Sequence, residues 1–342
     1  MSRRYDIVVG TGGIGSGMFL ALEGNRTLGR EESRPAVLLD QRDYCKLHIV
    51  SHYVRRLLGP DVPVVPIGKV GNDEPGRAVL EEMRATGLEP ALVGTSSRPT
   101  LFSVCFLYPD GDGGNLSTSR SASADVGPDD VRRAAELFAS HPGRGVALAL
   151  PEVPLDARKA LLQLATEHGW LRVAAVVPDE LDEVRDGGLL DQVDLLGLNI
   201  EEAATLGGVP AGEAPVRVVE AALAALAGSG SPAQVVVTAG SRGSWSWDGQ
   251  TLAHAPAVDP GGQVVSTAGA GDAHLAGVVV GLVAGQDLAT ANGFAALVSA
   301  LKVTSPHTIN PDVDARSVRE AASRRGLRLP EPLLELLDEA RP

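Results

Sequence analysis

Cysteine is nearly absent from this sequence: its 342 residues include two, Cys45 and Cys105. Their separation fits neither a metal-ligand pair nor a disulfide framework, so both are expected to be reduced thiols in or near the core. Basic charge is also short, with 30 Lys and Arg against 43 Asp and Glu and a formal net charge of -13. With no basic stripe or tail to offset phosphate repulsion, a nucleic-acid partner is disfavoured. No apolar run is both long enough and free enough of glycine to span a membrane. The opening MSRRYDIVVG enters a strand at once and leaves no room for the apolar region of a signal peptide. The expectation is a cytoplasmic protein with no membrane partner.

Hydrophobic residues, at 44%, are ample for a core, and the 21% of charged residues is ordinary for a soluble chain. The length allows one large α/β domain or two smaller ones. Short buried-strand runs alternate with helical patterns along most of it. Strands are expected at Tyr5–Val9, Ala36–Leu39, Val62–Ile67, Val146–Leu150, Leu171–Val177, Val193–Leu198 and Gln234–Thr238. Helices are expected at Cys45–Leu58, where Leu47, Val50, Val54, Leu57 and Leu58 share a face and Gly59 is the stop, at Pro75–Thr86, at Leu155–His168 and from Glu201. Met18–Leu22 reads as a strand or a brief helix. This alternation predicts an α/β fold, a mainly parallel central sheet with helices on both faces. Two β-rich stretches interrupt it, Pro99–Ser123 with its Pro109–Gly114 turn, and a Trp245–His254 hairpin across Asp248-Gly249. No repeat or low-complexity linker divides the chain, and Gly143–Gly145 and Gly228–Gly230 read as ordinary loops. A single domain, 1–342, with a β-rich attachment is the simplest reading.

The stretch most loaded with chemistry is Val264–Ala284. It tightens into Ala268-Gly269-Ala270-Gly271-Asp272 and then becomes helical, with Leu275, Val278, Val279, Leu282 and Val283 on one face. A Gly-rich first turn points backbone N–H groups at one spot, where the helix dipole adds partial positive charge. That makes an anion site with a carboxylate at its edge. Taken alone, the same residues also suit a plain tight turn with a favourable first-turn acid.

A second glycine cluster, Gly10-Thr11-Gly12-Gly13-Ile14-Gly15, satisfies G-x-G-x-x-G after a strand, and Asp40 closes a later one. It supports an alternative function, an NAD- or FAD-dependent oxidoreductase. Against it, Gly15, Gly17 and the Gly24-Asn25 turn leave little room for the helix that such a motif must open. The glycines then serve to relieve crowding where a strand meets a site.

Four separated signals together resemble the ribokinase-like (PfkB-type) carbohydrate kinases. Ser266-Thr267-Ala268-Gly269-Ala270-Gly271-Asp272 resembles the family's D-T-T-G-A-G-D, and Asn199-Ile200-Glu201-Glu202 matches N-x-x-E. Thr238-Ala239-Gly240-Ser241-Arg242-Gly243 resembles T-x-G-x-x-G, and Val70-Gly71-Asn72-Asp73-Glu74-Pro75-Gly76 resembles V-G-x-D-x-x-G. The resemblance implies a ribokinase-like fold and transfer of the γ-phosphate of ATP to a sugar-like hydroxyl. Asp272 would be the general base, and the N–H groups of Gly269, Ala270 and Gly271 would stabilise the transferring phosphoryl. Asn199 and Glu202 would orient Mg²⁺ through water. Thr238, Gly240, Gly243, Thr267 and Asn292 would border the nucleotide. Asn199 and Glu202 would equally suit a helix cap and its partner, and His274 is expected to pack or hydrogen-bond locally.

The departures concern the acceptor. Ser266 replaces an Asp that in the family helps to hold a monovalent cation, which puts activation by K⁺ in doubt; Ala268 replaces a Thr. This form of the motif also resembles the branch acting on sugar phosphates, and Thr304–Asn310 resembles nucleoside-type members, including pseudouridine kinases. No acid follows the first strand, and Gln41-Arg42-Asp43-Tyr44 stands where a Gly-Gly pair is usual. For a rebuilt acceptor site the sequence offers Asn25, Asp40, Arg42, Asp43, His48 and Arg120, carboxylates for hydroxyl donors and arginines for an anionic group. Arg26, Arg30 and Arg34 read as a solvated loop. Segments 18–40 and 100–119 are expected to form a small β lid, whose apolar face would suit a homodimer. A non-catalytic sugar or nucleotide sensor is the remaining alternative, and the intact Asp272 loop counts against it.

Overall fold

The computed structural model describes residues 3–110, 113–227 and 232–340. Gly111 and Asp112 of the expected turn, and the Gly228–Gly230 loop, lie outside the described residues. The strands in chain order are β1 (Ile7–Thr11), β2 (Gly15–Leu22), β3 (Ala36–Tyr44), β4 (Val64–Gly71), β5 (Val93–Ser96), β6 (Leu101–Leu107), β7 (Gly113–Ser117), β8 (Gly145–Ala149), β9 (Leu171–Ala175), β10 (Leu195–Asn199), β11 (Gln234–Thr238), β12 (Ser244–Trp247) and β13 (Leu252–Ala255). Nine of them build one sheet in the order β13-β12-β11-β10-β9-β8-β1-β4-β5. All pairs from β11 to β5 are parallel, and the β12–β13 hairpin adds an antiparallel edge.

Strand alternation explains how one sheet carries two cores. Val8, Val64, Val146 and Leu195 point to one face, packing under the helices Lys46–Leu58, Ala270–Val283 and Leu288–Lys302. Ile7, Val9, Val65, Ala147 and Leu196 point to the other, against the helices Leu155–Glu167, Ile200–Gly207 and Pro215–Leu226. Both faces are covered, as the alternating pattern of the sequence requires.

A second, four-stranded sheet runs β3-β2-β6-β7. Met18–Leu22 is therefore strand, and the Gly10–Gly15 cluster joins β1 to β2 without opening a helix. The reason is local: a β-carbon at Gly15 would lie 2.3 Å from the Leu101 carbonyl oxygen, and one at Gly17 would lie 2.4 Å from that of Ser103. The glycines let β2 press against β6. Val37, Leu38, Leu39 and Leu116 are exposed on this small sheet. Its junction with the main body is tied by Asp73, whose carboxylate accepts from the Gly76 N–H at 3.0 Å, the Thr100 N–H at 2.8 Å and the Thr100 hydroxyl. The acid of the V-G-N-D-E-P-G stretch is thus a helix cap that also holds the entry to β6.

Helices Ala270–Val283 and Leu288–Lys302 approach closely because their contact is lined by small residues. A β-carbon on Gly281 would lie 2.6 Å from the Ala291 β-carbon, and one on Gly277 would lie 2.7 Å from the Ala295 α-carbon. Gly281→Ala is expected to destabilise the fold by about 1–3 kcal/mol through overpacking. Gly293→Ala, on the exposed side of the second helix with open space around it, is expected to stabilise by up to about 1 kcal/mol. Urea denaturation of the two variants checks this contrast.

Candidate active site

Parallel strands release their chains at one edge, and ligand sites in open α/β sheets form there. Asn199 ends β10 and Thr238 ends β11, and the two residues are paired in register. Beside them begins the helix Ala270–Val283. Together they border an open cleft whose polar lining is Lys46, Asn199, Glu202, Thr238, Asp272 and His274.

The loop before that helix takes its shape from Gly269, the N-cap, at φ 76°. This is the left-handed region where a side chain is strained, and a β-carbon would also lie 2.4 Å from the Thr308 carbonyl oxygen. The Ala270 N–H turns back to donate to the Thr267 carbonyl at 3.0 Å. Ala270, expected as one of three anion donors, spends its N–H on the turn. Gly271 and Asp272 follow in the first turn, where the helix has no carbonyl of its own to offer them. Gly271 is exposed to the cleft, with Thr238 Oγ1 3.9 Å from where its β-carbon would be.

Asp272 Oδ1 lies 3.7 Å from Lys46 Nζ, and Glu202 Oε1 lies 3.6 Å from the same ammonium. Burial raises the pKa of both carboxyls, and Lys46 pulls each back down. Lys46 is itself opposed by burial, but Asp272, Glu202 and Glu152 outweigh that and hold its pKa above the ordinary value. Glu202 is fixed by a reciprocal cap. Asn199 Oδ1 accepts from the Glu201 and Glu202 N–H groups at 2.9 and 2.8 Å, while Glu202 Oε2 accepts from the Asn199 N–H at 2.8 Å. Asn199 is thus engaged in holding Glu202, which keeps Oε1 turned toward Lys46.

A third carboxyl completes the group. Glu152 follows β8 and adopts φ 72°, alone among the described non-glycine residues. Its Oε2 is buried without a hydrogen-bond partner. Burial pushes its pKa up to about 7, opposed by the charge of Lys46 and assisted by that of Asp272. Strained backbone and an unpaired buried oxygen mark a group kept for something other than stability. Neither Lys46 nor Glu152 stood out in the sequence. The available signals were a lysine opening an otherwise apolar helix face and an acid between two prolines at a parallel strand end.

Gly240 and Gly243, with φ of 57° and 86°, shape the turn after β11, and Thr267 is exposed at the loop entry. Asn292, expected to border the nucleotide, is not among the residues that line the cleft. It is buried, with Oδ1 accepting from Ser244 Oγ at 2.9 Å and from His274 Nε2 at 2.8 Å. His274 is buried and local, its pKa brought down to about 4 by desolvation. Among the expected acceptor residues, Asp43 is buried and accepts from Ser103 Oγ at 2.6 Å and Cys105 Sγ at 3.1 Å, with its pKa raised by burial. Asp40 is paired with His307. His48 belongs to the core: it is wholly buried, with a pKa lowered to about 3 by desolvation. Asn25 is exposed near the tip of the small sheet, accepting from the Asp110 N–H at 3.1 Å, and Arg120 is exposed after β7. Neither lines the cleft. The side chain of Arg42 lies outside the described residues. Both cysteines are free, with thiol pKa values pushed up by burial. Among the described residues, no three His, Cys, Asp or Glu side chains converge on a metal position, and no helix is long and apolar enough to cross a membrane.

Known proteins resemble this chain in sequence and in fold. A ribokinase of Arabidopsis thaliana is 27% identical over 266 residues, which is 75% of this chain and 66%, just under two thirds, of that protein. The structure of Arabidopsis thaliana ribokinase complexed with ribose and ATP superposes with a TM-score of 0.72 at 22% identity, covering 93% of this chain and 98% of that one. A Cryptococcus neoformans ribokinase in complex with ADP gives 0.77 at 19% identity, over 93% and 99%. An adenosine kinase from Sinorhizobium meliloti gives 0.71 at 21% identity, over 93% and 100%. The fold is accordingly ribokinase-like. The pfkB family carbohydrate kinase profile matches residues 50–316, a span that takes in β10, β11 and the Asp272 loop, and on that match the chain belongs to the pfkB family of carbohydrate kinases.

Proposed function

We propose that the protein transfers the γ-phosphate of ATP to a hydroxyl of a sugar or sugar-like small molecule, with Asp272 as general base. One observation carries this reading: a carboxylate in the first turn of a helix borders the same cleft as the free N–H groups of that turn, and an ammonium 3.7 Å away holds it. The acceptor hydroxyl would lie between Asp272 and the γ-phosphate. As its oxygen bonds to phosphorus and the bond to ADP breaks, its proton passes to Asp272. The Gly271 and Asp272 N–H groups would stabilise charge on the phosphoryl oxygens, and Lys46 would offset charge on the acceptor side.

Thr238, Thr267, Gly240 and Gly243 would border the nucleotide; the similar ribokinases were complexed with ATP or ADP. Mg²⁺ would neutralise phosphate charge. With no cluster of three metal-ligating side chains among the described residues, the ion would be held chiefly by the phosphates and water, with Glu202 as the carboxylate on the protein side. Asn199 contributes by capping Glu202.

Charge balance favours a neutral acceptor. Glu152, Glu202 and Asp272 share the single charge of Lys46, while Arg120 is exposed. Sugar hydroxyls suit such carboxyls as donors, whereas a phosphate on the acceptor would meet net repulsion. A nucleoside, whose ribose offers the same hydroxyls, is the second reading, supported by the likeness to an adenosine kinase. The small sheet would act as a lid that excludes water from the transfer. Its exposed Val37, Leu38, Leu39 and Leu116 suit pairing with a second copy. Leu38→Asp with Leu116→Asp should then convert a dimer to a monomer in light scattering; a wild-type monomer would refute the pairing.

Asp272→Asn should lower kcat by about 10²–10⁴-fold while ADP affinity stays within a few-fold. ADP release across a panel of sugars, sugar phosphates, cyclitols and nucleosides measures it. Near-native turnover would remove Asp272 from the reaction, and a wild type that binds ADP but never turns over would leave the sensor alternative.

Glu152 yields a pH test. Its folded pKa of about 7 exceeds the ordinary 4.5, so the fold prefers the protonated form and loses that contribution as pH rises through about 7. An acceptor hydroxyl that donates to Glu152 would give binding the opposite sign, because the ionised carboxylate is the better hydrogen-bond acceptor. Acceptor KM should fall between about pH 6 and pH 8. In Glu152→Gln, KM should rise about 10–100-fold and lose that slope. Steady-state kinetics against pH checks both.

A further inference from the structure

Behind the Asp272 loop lies a charged group that the proposed transfer does not touch. Lys302 occupies the last turn of the helix Leu288–Lys302 and is 0% exposed. Its Nζ donates to the Ser266 carbonyl oxygen at 2.9 Å. The same short stretch is pinned twice more, with the Val265 and Ser266 N–H groups donating to the Val303 carbonyl at 2.8 and 3.3 Å. Ser266 Oγ in turn accepts from the Ala268 N–H at 3.3 Å. The segment that enters Gly269–Asp272 is therefore fastened to the end of one helix, and the fastening includes a buried ammonium.

A buried lysine without an ion pair is costly. Among the described residues Lys302 forms none, and desolvation lowers its pKa to about 7 while the charge of Asp272 draws it back. The neighbouring helix C-terminus favours a cation, but only modestly. An apolar residue would fill the position at less cost, so the ammonium answers a negative charge that arrives with the reactants. An ammonium and an alkali-metal ion ask for the same partners, carbonyl oxygens at short range.

We propose that Lys302 is a built-in cation for the phosphate loop: it holds the Ser266 carbonyl and the entry to Gly269–Asp272 in place, compensates the polyphosphate charge, and makes turnover independent of alkali-metal ions. The inference rests on the ATP-dependent reading above. It makes Lys302 a positioning residue, since the loop stands between it and the reactants.

The test uses the full-length protein in choline, Na⁺ and K⁺ buffers at matched ionic strength. Wild-type turnover should agree within about twofold across the three, because the cation is covalent. Lys302→Ala should lose at least about tenfold in turnover and in ADP affinity in choline. Ethylammonium or K⁺ should restore several-fold of each loss while leaving the wild type unchanged, a rescue that a merely structural lysine would not show. Strong stimulation of the wild type by K⁺ would overturn the proposal. So would native behaviour of Lys302→Ala, or a loss in the folded variant that no cation restores. Should Lys302→Ala not fold, the wild-type series decides alone. A wild type that binds ADP without any turnover would fail the kinase reading, and the ADP-affinity arm would still judge Lys302.

Discussion

Lys46 is the interaction on which the site depends. Glu202 and Asp272 approach its ammonium at 3.6 and 3.7 Å, and Glu152 adds a third charge behind them. At such separations each pair attracts by about 4 kcal/mol before desolvation is charged against it, taking an effective dielectric near 20. Without the lysine, three carboxyls raised by burial would protonate rather than remain together as anions. The carboxylate proposed as general base would have to be ionised to accept a proton, and the neighbour that favours its ionised form is one that no glycine motif advertises. The lysine begins a helix, Lys46–Leu58, whose buried residues anchor it to the main core.

The rest of the architecture serves to bring distant chain segments to that ammonium. Parallel strands align Asn199 and Thr238 at one edge, and the capping exchange between Asn199 and Glu202 converts a helix start into a carboxylate with one fixed oxygen and one free. The small sheet reaches the same region by another route. Gly17 leaves room for Asp43 to reach Ser103 across β2, and Asp40 is joined to His307 of the C-terminal loop. Asp73 anchors the junction through Thr100. Asp43 ties β3 to β6 within the small sheet, while Asp40 and Asp73 link that sheet to the segments around it, so the carboxylates expected to meet an acceptor are partly engaged in structural contacts.

What could be read in the sequence was whatever has a period or a compact motif. Strand runs and the Lys46–Leu58 and Leu155–Glu167 helices follow apolar spacing, the strand-end positions of Asn199 and Thr238 follow from motifs next to those strands, and the first-turn position of Asp272 follows from its Gly-rich motif. Lone residues escaped. Glu152 has no periodic context, and its positive φ lies beside a long-range contact, the Gly13 N–H donating to the Pro151 carbonyl, that no local pattern announces. His48 was misplaced because one polar residue on a helix does not say which way it faces; here it turns into the core. Asn292 looked like a cleft residue on the helix after the anion loop. The close approach permitted by Gly277 and Gly281 buries it instead in a network with Ser244 and His274. Contacts between helices set its place, and no single segment encodes them.

Two groups near the Asp272 loop are shifted toward neutrality from opposite sides. Burial brings Glu152 up to about 7 and Lys302 down to about 7. Desolvation is the leading cause for both, so the same dry interior resists a negative charge on one and a positive charge on the other. A polyanion placed at the Gly271 and Asp272 N–H groups would oppose burial at Lys302, where it favours the charged form, and reinforce burial at Glu152, where it disfavours the charged form. Both effects take up protons, so nucleotide binding and protonation are linked, and each must strengthen the other. A neutral hydroxyl acceptor carries no charge that would disturb this balance. On the reading proposed above, nucleotide binding would itself complete the protonation of Lys302, so that the cation is fully charged when the phosphates need it.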